Sequence, residues 1–88
     1  MALRGMDVEA AQQFSRSLSL YADQISQAVS ALSSELVSVQ WVGSDGDRFR
    51  SDWDGSYRPQ LSSIVSALQD RASHLALEAQ AQLEASGQ

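Results

Sequence analysis

The chain has 88 residues, with six Arg and no Lys against eleven Asp plus Glu, a net charge of −5 and no cysteine. Those numbers limit it to one small domain without disulfides, thiolate nucleophile or Cys-based metal site, close to the size at which a single core barely sustains itself. The acidic balance argues against nucleic acid and against direct membrane binding, since phosphate backbones and anionic lipid surfaces select clustered positive charge.

Helical periodicity governs the first half. Apolar or small residues recur at Ala11, Phe14, Leu18, Tyr21, Ile25, Ala28, Leu32, Leu36 and Val39. Every step is three or four residues, which keeps them on one stripe of an α-helix. The other faces carry Gln12, Ser15, Arg16, Ser19, Asp23, Gln27 and Ser30. Serine is a mediocre helix former, so packing rather than propensity must hold this helix. The pattern predicts helix over about residues 7 to 40.

A connection is predicted over residues 41 to 45. Gly43 is expected to end the first helix in the left-handed conformation. Ser44 is then expected to cap the next helix, with Asp47 completing a short capping box. Asp45 and Asp47 suit the positive end of the helix dipole.

The second helix is expected over about residues 45 to 85. Its stripe runs through Phe49, Trp53, Tyr57, Leu61, Ile64, Leu68, Ala72, Leu75, Ala79 and Leu83. Steps of mostly four make it drift over roughly 160°. Gly55 and Pro59 predict a kink near residues 55 to 59, because proline lacks the amide hydrogen and presses on the carbonyl four residues back. The closing stretch "QLEASGQ" is expected to fray.

A connection this short makes the helices antiparallel neighbours. The fold class is therefore all-α: a helix–turn–helix hairpin spanning residues 1 to 88 as one domain. Two rods leave wide stripes uncovered, so two hairpins are expected to stack into a four-helix bundle dimer. Its core, within and between hairpins, is assigned to Phe14, Leu18, Tyr21, Ile25, Leu32, Leu36, Phe49, Trp53, Tyr57, Leu61, Ile64, Leu68 and Leu75. Leu20 and Arg71, off the stripe or at its edge, are placed to discriminate between partners.

Catalytic chemistry finds no support. His74 is the single histidine, and its i, i+4 spacing to Glu78 reads as a solvated helix pair. Asp45, Asp47, Asp52 and Asp54 do not meet the spacing of a calcium loop. Gly43 and Gly46 match no phosphate-binding fingerprint. No metal, cofactor or enzyme activity is expected. Trp41 is left over: it falls two residues after Val39, off the stripe, so it either folds over the bundle end or stays exposed as an interaction anchor.

Trp41-Val42-Gly43 at the turn of a helical hairpin, with Phe49 and Trp53 early in the second helix, resembles the WXG100 (ESAT-6-like) family of type VII secretion substrates. The resemblance covers essentially the whole chain. It implies a helical hairpin in a four-helix dimer with a second WXG100-like chain, exported folded by a membrane complex containing an FtsK/SpoIIIE-like ATPase. It also implies that Trp41 and Gly43 form half of a composite export signal, whose other half is a partner's C-terminal Y-x-x-x-[DE]. This sequence departs from the pattern, since its last tyrosine, Tyr57, is followed four residues on by Leu61. A heterodimer in which this chain lacks the tail motif is therefore favoured over a homodimer. The expected localisation is secreted, reached from the cytoplasm without a cleaved signal peptide, because "MALRGMDVEAAQQF" has no uninterrupted apolar core. A cytosolic helical adaptor or chaperone is the alternative.

Overall fold

The computed structural model describes residues 6–86. Helix α1 spans Val8–Ser38, α2 spans Ser44–Asp52, a π-helical turn spans Trp53–Tyr57, and α3 spans Arg58–Ser86. The last three form one continuous rod that doubles back along α1. Among the described residues the result is a hairpin with extents of 66 × 17 × 15 Å.

Local chemistry explains where α1 begins. The Asp7 carboxylate accepts from the Ala10 amide at 3.1 Å, satisfying one of the free donors of the first turn. At the other end the helix stops at Ser38, two residues earlier than its periodicity implied. Val39 is already extended, with φ −73° and ψ 137°. The role predicted for Gly43 is corrected accordingly. It does not close α1 but stands immediately before α2, at φ 122° and ψ 174°. Its carbonyl accepts from the Asp47 amide at 3.1 Å. Ser44 is likewise not the cap; it is the first helical residue, and no side chain caps α2. The acidic first turn, Asp45 and Asp47, takes over part of that role through the helix dipole.

The predicted kink takes the form of a π turn. The Arg58 amide donates to the Trp53 carbonyl, five residues back, and the helix carries on through Pro59 without a break. That extra residue has a consequence for packing. Trp53 and Val65 are both buried against α1 yet stand twelve positions apart. In an unbroken α-helix, at about 100° per residue, they would lie about 120° apart around the axis. Absorbing one residue in the π turn cuts that offset to about 20°. The bulge therefore returns two stretches of drifting stripe to a common face. Toward the chain end α3 runs helical through Ser86, beyond where fraying was expected; Gly87 and Gln88 lie outside the described residues.

The line along which the helices touch is not the stripe of large residues. Buried positions are Ser15 and Ala22 on α1 and Val65, Ala72 and Ala79 on α3, with Trp53 and Gly46 nearer the turn. Ser15 and Ala22 are seven residues apart, as are Val65, Ala72 and Ala79, the repeat of helices that wind around each other. Small side chains here let the two backbones approach closely. Ser15, assigned from sequence to an outer face, sits inside: its hydroxyl donates to the Ala72 carbonyl of the opposite helix at 2.7 Å. Bulky residues are displaced to one side. Phe14 and Tyr21 are each 57% exposed, and Leu32, Tyr57 and Ile64 are also about half open.

Two unlike grooves result. One carries the large apolar residues from Phe14, Leu18, Leu68 and Leu75 at the free end to Leu32, Trp41 and Phe49 at the turn. The other is lined by Ser26, Ser30, Ser33, Ser34, Ser62 and Ser66 beside the π turn.

Candidate functional site: the turn end of the apolar groove

The connector between α1 and α2 is short, extended and irregular, so its carbonyls have no helical partners. Arg50 supplies them. Its Nε donates to the Leu36 carbonyl at 3.3 Å, and its two terminal nitrogens donate to the Val39 carbonyl at 3.1 Å and the Trp41 carbonyl at 3.0 Å. One planar fork thus closes the C-terminal turn of α1 and pins the connector, a geometry that a lysine ammonium does not reproduce. The Asp47 carboxylate lies 3.9 Å from the same guanidinium.

Gly46 completes the fit. A Cβ at this position would lie 2.5 Å from the Trp41 carbonyl oxygen and 3.0 Å from Trp41 Cγ. The indole therefore rests on a stretch of α2 that only glycine leaves clear. Gly43 differs in kind: an added Cβ would meet nothing within 4 Å, so the demand for glycine there comes from its backbone angles.

Trp41 adopts both placements open to it. Its ring lies 5.9 Å from Phe49, centroid to centroid, yet the residue remains 42% exposed. Phe49 continues the aromatic row to Trp53 at 6.5 Å and to Tyr57 at 6.3 Å. Trp53 is the anchor of the row, 6% exposed, with its Nε1 donating to the Ser33 hydroxyl at 2.9 Å. Phe49 and Tyr57, placed with it on the same sequence stripe, are not enclosed in the hairpin. Together Leu32, Leu36, Val39, Trp41, Phe49 and Trp53 line an open apolar pocket of about 280 Å³, with Glu35 at its edge.

The remaining positions of the stripe follow the groove. Leu18, Ile25, Leu36, Leu61, Leu68 and Leu75 are partly covered by the opposite helix, whereas Phe14, Tyr21, Leu32 and Ile64 are open. At the free end Arg71, His74 and Glu78 interrupt the apolar surface, with His74 Nε2 3.7 Å from Glu78. This pair is on the surface. Among the described residues no group of three His, Cys, Asp or Glu is arranged to hold a metal ion, and no helix is long and apolar enough to cross a membrane.

Comparison with known proteins is silent. No family model, no curated protein and no solved structure matches the chain.

Arg50 and Gly46 are the site residues that sequence reasoning missed. A usable signal existed, because an extended connector must find donors for its carbonyls and Arg50 is the nearest arginine on the inward side of α2. Ser33 had no comparable signal, since it is one of many serines and its partner lies on another helix.

Proposed function

We propose that this protein is a WXG100-like export substrate that works as one half of a helical dimer. The observation that carries the reading is the open apolar groove, which runs the length of the hairpin and ends at the Trp41-Val42-Gly43 turn. Exposed apolar surface of this extent marks an interface. A second WXG100-like hairpin laid on it would close a four-helix bundle and cover Phe14, Tyr21, Leu32, Phe49, Tyr57 and Ile64. In this reading the protein is no enzyme, and it is secreted by an ATPase-driven type VII system. Trp41 and Gly43 supply this chain's half of the export signal and the partner supplies the other. The proposed partner is a second, different WXG100-like chain.

Co-expression with a small WXG-type protein encoded beside it, followed by size-exclusion chromatography, tests the pairing. A stable 1:1 complex is expected, and a monomer under all conditions sinks the dimer. Export is tested by assaying culture medium with and without the secretion ATPase. Retention in both cases favours the second reading, a cytosolic helical adaptor.

A further inference from the structure

We propose that Arg50 is the positioning residue of the recognition surface at the turn, and that Trp41, Gly43, Gly46 and Arg50 form one unit that presents the indole before any partner binds. The proposal deepens the reading of Trp41 and Gly43 as this chain's half of an export signal, and rests on it.

The connector has little else to hold it. Val39 is anchored by its amide on the Glu35 carbonyl, and Gly43 by its carbonyl on the Asp47 amide. Among the described residues, the hydrogen bond made to residues 40–42 is the one that Arg50 donates to the Trp41 carbonyl. An extended segment held at one point depends on that point for its path.

The indole is set through the same atoms. A Cβ on Gly46 would lie 2.5 Å from the Trp41 carbonyl oxygen, 3.0 Å from Trp41 Cγ and 3.1 Å from Arg50 Nη1. The root of the ring, its carbonyl and the guanidinium therefore converge on one bare patch of α2. Arg50 draws the carbonyl onto that patch, which lays the ring toward Phe49, 5.9 Å away. Trp41 is 42% exposed, and one tilted ring contact does not by itself select its orientation. The backbone tie does.

The guanidinium is committed to this task. Its Nε and both terminal nitrogens each donate to a carbonyl, while the Asp47 carboxylate, at 3.9 Å, is beyond hydrogen-bond distance. Arg58, by contrast, pairs with Asp54 at 3.5 Å. Because the acceptors of Arg50 are neutral and fixed in direction, the shape of the fork matters more than its charge. Gly43 adds the positive φ with which the chain enters α2. A surface ordered in advance loses less freedom on binding, so more of its contact energy appears as affinity.

Nitrogen relaxation NMR on the free, full chain tests the proposal, with the Trp41 and Trp53 indole N–H signals told apart by Trp41→Phe. The Trp41 indole is expected to be as ordered as rigid backbone, with an order parameter of about 0.85. Arg50→Lys, which keeps the charge and loses the fork, should lower it below about 0.6 and cancel the ring-current shift from Phe49. The Trp53 signal and cooperative melting should persist in that variant. Gly46→Ala, with Arg50 intact, should displace the same Trp41 signal. A mobile Trp41 indole in the unaltered chain, or an unmoved one in either variant, overturns the proposal. So does loss of cooperative melting in Arg50→Lys, which would make Arg50 a folding residue. In the export assay, Arg50→Lys should reach the medium severalfold less than the unaltered chain at equal cellular level; equal export with a loosened indole overturns the functional role. The relaxation measurement needs neither partner nor ATPase, so failure of the export reading and failure of the tie are distinguishable.

Discussion

The hairpin has two grooves of opposite chemistry, one spread from the free end to the turn and the other confined to the stretch beside the π turn. Both are flanked by the same two helices, yet one exposes Phe14, Tyr21, Leu32, Phe49 and Ile64 and the other exposes mostly serine. The contrast teaches that this molecule's hydrophobic surface is only partly used in holding its own helices together. Hairpin contacts are made by Ser15, Ala22, Val65, Ala72 and Ala79, where close approach replaces bulk. The large side chains, each worth roughly 1.5–3 kcal/mol if fully buried, remain half exposed on one side.

Four substitutions break or sharpen that comparison. The largest effect is expected from Trp53→Ala, because this residue is the buried anchor of the aromatic row, its ring lining the apolar pocket and its Nε1 held by Ser33 of the serine groove. A loss of about 3–5 kcal/mol in denaturant unfolding is expected; a loss under about half of that would mean the aromatic row holds without its anchor. Ala72→Leu comes next. It puts bulk on the line of close approach, beside the Ser15 bond, and should cost about 1–3 kcal/mol through overpacking. Stabilisation by this variant would show that the helices have room to spare.

Leu32→Ala separates hairpin from assembly. At half exposure it should lower the melting of the isolated chain by only about 1 kcal/mol, while weakening association with the proposed partner measurably in a binding titration. Equal losses in both assays would place Leu32 inside the hairpin's own core. Smallest of all, Ser30→Ala in the serine groove should stay within about 0.5 kcal/mol, the usual range for surface changes, and leave association unchanged. A drop in association would transfer the partner to the wrong groove.

How much of this was legible follows from the range of each interaction. Apolar steps of three and four were enough to find both helices, since side-chain spacing on a helix is a local property. Pro59 was enough to locate the irregularity, because its missing amide acts on the turn that contains it. The form of that irregularity was not legible: a π turn is selected by the need to keep Trp53 and Val65 facing α1. Gly43 was recognised as a special residue but assigned to the wrong helix end, because the same backbone freedom serves a stop and a start. Ser15 was misplaced since a lone serine gives no sign that a carbonyl on another helix awaits its hydroxyl.

Periodicity, turn chemistry and charge settle that the chain is a pair of helices with one apolar flank, because each acts over a few residues. Which line of each helix faces its neighbour was decided in three dimensions. Backbones approach most closely where side chains are smallest, and that moved Ser15 and Ala22 inward and Phe14 and Tyr21 outward. The Arg50 tie is of the same kind: it joins carbonyls from nine to fourteen residues away, which become neighbours only when the hairpin closes.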